Sequence, residues 1–107
     1  MRQMRKTTGM IGRAARAVKV TTGQEGGESA IKKKKAFVAL VDESASDRTK
    51  KDIRDACNFA NCRMLILPGD ALGFSIGKPG RMCAAVTDAS LAKRIIELFD
   101  AESAVTA

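Results

Sequence analysis

With 107 residues, 45% of them apolar and 29% charged, the chain can bury one modest core and is too apolar to be disordered; no Pro/Gly/Ser-rich linker divides it, so residues 1–107 read as a single domain. Its formal charge of +7 is lopsided, because residues 1 to 35 hold ten Lys/Arg and two acids whereas the rest hold nine and ten, and such an N-terminal excess suits either phosphate backbones or a plain solvated surface. Three cysteines and no histidine leave a tetrahedral site short of ligands, so no structural metal is expected.

The opening Met1-Arg2-Gln3-Met4-Arg5-Lys6 lacks the apolar core of a secretory signal, and the longest apolar run, Ala36 to Val41, is too short to span a bilayer. The expectation is a cytoplasmic protein with reduced thiols and no membrane partner. Arg2 to Ala17 is compatible with a basic helix that carries Met10, Ile11, Ala14, Ala15 and Val18 on one side and is weakened by Gly9 and Gly12. Val18 to Thr21 alternates as a half-buried strand of the edge-tolerant kind. A helix from about Gly23 to Lys34 opens with Thr22-x-x-Glu25, a capping-box pattern, and contains the adjacent Gly26 and Gly27.

Ala36 to Val41 is apolar throughout, as an interior strand covered on both faces would be, and Asp42-Glu43-Ser44 ends it. Ser46 caps a helix through Ala60 whose apolar stripe is Ile53, Ala56, Cys57 and Ala60. Met64 to Leu67 is a second buried strand, stopped by Pro68-Gly69. A short helix from about Asp70 to Ile76 leads into the loop Gly77-Lys78-Pro79-Gly80-Arg81, and Met82 to Val86 forms a third apolar strand. Thr87 or Asp88 caps a last helix with Leu91, Ile95, Leu98 and Phe99 inward, and residues beyond about Ala101 are expected to fray. This alternation gives an α/β fold, a three-layer α/β/α sandwich around a small mixed sheet. Cys57 and Cys62 read as small core fillers, with nothing nearby in the sequence to lower a thiol pKa.

Thr22 to Lys35 concentrates the chemistry. A glycine turn starts a helix and four consecutive lysines, Lys32 to Lys35, end it, so backbone N–H groups and ammonium groups can meet a polyanion together. Glu25, Ser29 and Lys33 are spaced to share one side of that helix. The bland readings are a capping acid at Glu25, cations favoured at a helix C-terminus for the lysines, and a simple helix stop for Gly77-x-x-Gly80.

Four stretches in matching order carry a family resemblance. Met10-Ile11-Gly12-Arg13-Ala14-Ala15-Arg16-Ala17 resembles an "LGLARRAG" opening, Thr22-Gly23-Gln24-Glu25 an "SGEE", Leu72-Gly73-x-x-x-Gly77 an "LGxxxG" helix, and Val86-Thr87-Asp88 the "xTD" before a last helix. Together they span about residues 9 to 99 and are similar to the ribosomal protein L-seven-Ae and L-thirty-e superfamily, in its bacterial YlxQ-like branch. The resemblance implies an α/β/α sandwich that binds structured RNA, kink-turns above all, through the N-terminus of the second helix and a later loop. Carried over by residue, the first element is Gly23, Gln24, Glu25 and Gly26, with Ser29 a turn on and Lys32 and Lys33 at the basic end. The second is Lys78, Pro79, Gly80, Arg81 and Met82. Kink-turn binders carry Asn-Glu and then Lys one turn later, whereas this chain has Glu25-Gly26 and Ser29, which implies RNA binding with altered specificity.

Other readings compete. Gly77-Lys78-Pro79-Gly80 matches the GXXG clamp of KH domains, but the following residues read as a strand where that fold needs a helix. Gly73-x-x-x-Gly77-Lys78-Pro79 falls one residue short of a phosphate-binding loop and has Pro where Ser/Thr is needed. Without histidine, placeable carboxylate pairs or an activated cysteine, catalysis and cofactors are not expected. A protein-interaction module on ribosomal or translation assemblies, without direct RNA contact, stays open. There is no Trp or Tyr, and Phe37, Phe59, Phe74 and Phe99 fall mostly in strand or helix stripes, so no stacking platform for single strands is expected. Structured RNA, ribosomal or regulatory, bound by a monomer is the resulting expectation, with ribosomes or translation factors as further partners.

Overall fold

The computed structural model describes residues 4–105; Arg2 and Gln3, assigned above to the first helix, and residues 106 and 107 of the expected tail lie outside the described residues. In chain order the elements are α1 (Arg5–Arg16), β1 (Val20–Thr22), α2 (Gln24–Lys32), β2 (Val38–Asp42), α3 (Asp47–Ala60), β3 (Arg63–Leu67), α4 (Ala71–Ile76), β4 (Cys83–Val86) and α5 (Ala89–Val105). The sheet runs β1-β4-β2-β3, with β2 parallel to β3 and β4 antiparallel to both β2 and β1. A parallel pair needs a crossover, and α3 supplies it.

Helices cover both faces. Val38 and Leu40 of β2 and Ala84 and Val86 of β4 meet Ile11 of α1, Leu72 and Ile76 of α4, and Ile95 of α5. The intervening Ala39, Val41, Cys83 and Ala85 meet Ala30 and Ile31 of α2 and Ile53, Ala56 and Cys57 of α3. Because both faces are dry, the two-residue period leaves no polar alternation, which is why β2 reads as one apolar run. The α/β/α sandwich around a small mixed sheet is therefore the observed architecture.

Helix ends follow one device. After α1, Val18 takes a left-handed conformation (φ 59°) while its N–H and that of Lys19 bond the Ala15 and Ala14 carbonyls. Lys34 does the same after α2, Asn61 after α3 and Gly77 after α4, each with a bond from the next N–H back to the helix. These are Schellman turns, usually made with glycine; placing the β-branched Val18 there, 85% exposed, costs on the order of 1 kcal/mol or more. The turn uses up Val18, so β1 begins at Val20 and not at Val18. For the same reason α2 stops at Lys32, and the lysine run lies around a turn.

Two polar side chains hold the frame together from a distance. Asp42, fully buried at the end of β2, accepts from the N–H groups of Ser44 (2.9 Å), Asp70 (3.1 Å) and Leu72 (3.4 Å), tying β2 to the start of α4. Glu102 accepts from the Lys6 and Thr7 N–H groups at 3.0 and 2.8 Å and from the Thr7 hydroxyl, satisfying the first turn of α1, whose own N-cap Met4 offers no side-chain bond. The chain expected to fray beyond Ala101 is thus helical to Val105, because the first turn of α1 needs its carboxylate.

Candidate nucleic-acid interface

The start of α2 is set by β1. Thr22 pairs with Ala84 as the last strand residue, and Gly23 donates to the Cys83 carbonyl at 2.9 Å with φ 88° and ψ 161°, a conformation open to glycine. The helix therefore begins at Gln24 and the expected Thr22-Glu25 capping box does not form: strand pairing holds Thr22 extended, one residue too early to cap. No side chain caps this first turn, and Glu25 within it is exposed. Gly26 is fixed by packing, since a Cβ there would lie 2.9 Å from Thr21 Cγ2.

Gln24 points into the protein. Its Nε2 donates to Glu28 Oε2 (3.1 Å) and Asp52 Oδ2 (2.9 Å), and its Oε1 accepts from the Thr49 hydroxyl (3.0 Å). Both amide hydrogens and the carbonyl are engaged, which fastens the α2 start to α3 and leaves little for a ligand. Glu25, Ser29, Lys32 and Lys33 instead line one groove of about 390 Å³ together with Glu28, as their helical spacing requires. Lys32 is 3.8 Å from Glu28, whereas Lys33, Lys34 and Lys35 form no ion pair among the described residues.

The second segment is folded back over α4. A Cβ on Gly73 would come within 3.0 Å of the Lys78 carbonyl oxygen and 3.1 Å of Gly80 N and Pro79 Cα, so this glycine lets the loop lie on the helix. Positive φ at Gly77 (71°) and Gly80 (89°) turns the loop twice, and Lys78, Pro79, Gly80 and Arg81 are exposed. The turn sends Arg81 toward α2, where its guanidinium Nη1 lies 3.4 Å from the Cβ position of Gly23. Met82 departs from the expected set: it is half-buried against the α2–α3 core, because it enters β4. The two segments thus adjoin at Arg81 and Gly23, while the Gln24 amide bonds α2 and α3 side chains and Met82 packs half-buried against the α2–α3 core.

Two further expectations change. Phe59 and Phe74 are both 77% exposed and Phe37 is 49% exposed, so three of the four rings lie outside the core stripes. Asn61 turns the chain so that Cys62 N–H bonds the Cys57 carbonyl at 2.8 Å, and the two thiols meet. The proximity of the Cys57 thiol lowers the Cys62 pKa to about 7 against a burial that raises it, and Cys57 is raised in turn. The carbonyls of Ala36 and Arg63, 3.9 and 3.6 Å from Cys62 Sγ, are too distant to hold its proton firmly.

No family model matches the chain. It is 37% identical over 92 residues, 85% of its length and 92% of the relative's, to the RNA-binding protein YlxQ of Bacillus subtilis. The chain belongs to the YlxQ family. The YlxQ RNA-binding protein of Enterococcus faecium is 33% identical over 96 residues, covering 89% of this chain and 92% of that one. Among solved structures, a Bacillus halodurans protein of unknown function aligns with a TM-score of 0.85 at 28% identity over 89% of this chain and 97% of its own. The 15.5kD RNA-binding protein of Giardia lamblia shares the fold, with a TM-score of 0.73 at 15% identity over 95% of this chain and 89% of that one. The YlxQ family is also the one that the co-linear motifs resemble.

Proposed function

We propose that this chain is a small RNA-binding protein of the L-seven-Ae type that grips a structured, kink-turn-like RNA, ribosomal or regulatory, with the α2 start and the Lys78–Arg81 loop as one surface. The observation that carries the reading is the Arg81 guanidinium set against Gly23, beside a helix start that no side chain caps. Open N–H groups and a cation side by side suit a phosphate. Glu25 and Ser29 offer the base-directed groups, Glu25 as an acceptor for guanine amino groups. Lys32, about 12 Å from Gln24 at 1.5 Å per residue, and Lys33 to Lys35 in the turn that follows it add charge along the flanking backbone. The relatives' names support RNA as the partner class.

The protein works by binding and not by catalysis, as a cytoplasmic monomer without cofactor, on ribosomes or with translation factors. Among the described residues no helix is long and apolar enough to cross a membrane. Titrating salt against affinity for a kink-turn hairpin RNA tests the reading: four neutralised phosphates give a log–log slope of roughly −3 to −4. Neutral residues at Lys32 to Lys35 flatten that slope for every RNA, while Glu25→Ala changes the ranking of kink-turn against plain hairpin. A flat salt dependence, with ribosomal proteins retained and no RNA, would sink the reading in favour of a protein-interaction module.

A further inference from the structure

The glycines of α1 separate into two kinds. Gly12 is required by packing, because a Cβ there would lie 3.0 Å from the Ser75 carbonyl oxygen of α4. Gly9 is exposed, and a Cβ on it would meet nothing within 4 Å. A mid-helix glycine weakens a helix relative to alanine, and the protein's own contacts give no reason for it. What Gly9 leaves open is the floor of a groove of about 330 Å³ between α1 and α4, lined by Arg5, Thr8, Gly9, Ala71, Phe74 and Ser75.

Phe74 forms the wall of that groove and holds its ring 77% in solvent. It sits one turn before the Lys78–Arg81 loop on the same short helix, whose Gly73 carries that loop. Across the groove, α1 bears Arg5, Lys6, Arg13 and Arg16, and the Glu102 carboxylate of α5 is bonded to its first turn, which leaves Arg13 and Arg16 at the far end from that acid. Arg16 folds back so that its guanidinium Nη1 is 3.4 Å from the Cβ position of Gly12, beside Ser75, and Arg13 is exposed. The lining residues include no carboxylate. An exposed ring, an open floor and the arginines of α1 match a base with its phosphates better than an apolar protein segment.

We propose that the α1–α4 groove is a second RNA contact, which takes an unpaired nucleotide flanking the structured element: the base stacks on Phe74 and its phosphates lie against the α1 arginines. This deepens the proposed function and rests on it. Duplex RNA does not fit the role, since only an unstacked base offers its face to the ring.

The experiment photo-crosslinks the full chain to total bacterial RNA labelled with 4-thiouridine and localises the crosslinks by mass spectrometry. Crosslinks are expected at Phe74 as well as in residues 23–33 and 78–81. Gly9→Gln, which fills the floor with a better helix former, removes those at Phe74 and spares the others. Phe74→Ala weakens RNA binding about fivefold, through lost stacking. Crosslinks in residues 23–33 and 78–81 with none at Phe74, or none sensitive to Gly9→Gln, would overturn the groove and leave the RNA reading standing. No crosslinks anywhere would remove both. Loss of a bound protein from the Phe74→Ala variant with RNA binding unchanged would assign the groove to a protein partner and overturn the proposal.

Discussion

Replacing Gln24 by alanine separates a base-reading residue from a framing one. The amide makes three bonds, at 3.1 Å to Glu28, 2.9 Å to Asp52 and 3.0 Å from Thr49. Two of them have charged acceptors, each worth roughly 1.5–3 kcal/mol when well shielded, and a neutral bond contributes about 1. All three are part-buried, so water replaces much of what is lost, and about 2 kcal/mol is the expected net cost. For a domain of this size that lowers the Tm by about 8–15 °C.

The assay pairs thermal unfolding by circular dichroism with RNA affinity measured well below the variant's Tm. Gln24→Ala is expected to unfold early and still bind within about threefold of the wild type, a difference of roughly 0.6 kcal/mol. Gln24→Glu sets a third carboxylate against Glu28 and Asp52 and is expected to lose more stability than alanine does at neutral pH. Glu25→Ala has the opposite profile, an unchanged Tm and altered RNA preference, because that side chain is exposed. If Gln24→Ala melts like the wild type while RNA affinity collapses, the amide reads RNA and the framing argument is wrong.

Two other variants test the long-range contacts. Burial raises the Glu102 pKa, but bonds from Thr7 and Lys6 together lower it by more, so the folded value lies below the unfolded one. The stabilisation is therefore present above an unfolded pKa of about 4.3 and is lost as pH falls through the folded value. Glu102→Gln should cost about 1–2 kcal/mol in urea denaturation at neutral pH, and the gap from the wild type should close at acid pH; a constant gap across that range would refute the account. Cys62, with a pKa near 7, should be alkylated by iodoacetamide ahead of Cys57 and Cys83, its rate rising through neutral pH. Equal rates for all three thiols would show that the neighbouring Cys57 thiol does not lower the Cys62 pKa.

Where structure depends on neighbours in the chain, the sequence was legible. The apolar runs at β2, β3 and β4 and the Ser46 cap of α3, which accepts from Thr49 N–H at 3.1 Å, follow from local pattern. What escaped depends on partners far away. Thr22 fits a capping box until β4 pairs with it, and Glu102 reaches α1 across 95 and 96 residues. Phe74 could not be assigned a face, since six residues of α4 hold fewer than two turns. Val18 and Lys34 gave no warning of their turns, because nothing in their side chains favours a left-handed backbone.

The same dependence bears on what the RNA surface can read. The α2 start is exposed because its supports lie elsewhere: β4 holds Gly23, α3 holds Gln24, and Gly73 carries the loop that brings Arg81 across. A start framed in this way has no capping side chain of its own, and under the proposal its N–H groups serve phosphate. It also commits the amide that could have read a base. With the Gln24 amide bonded to α3 and Gly26 close against Thr21, the proposed surface is left Glu25 and Ser29 for base contact on this helix, beside cations that are indifferent to sequence. On the proposed surface, discrimination then falls to RNA shape or to a neighbouring contact, and Phe74 is the exposed ring nearest in sequence to the loop. The Gln24 and Phe74 variants test those two proposals independently, because one reads a frame between α2 and α3 and the other an exposed ring on α4.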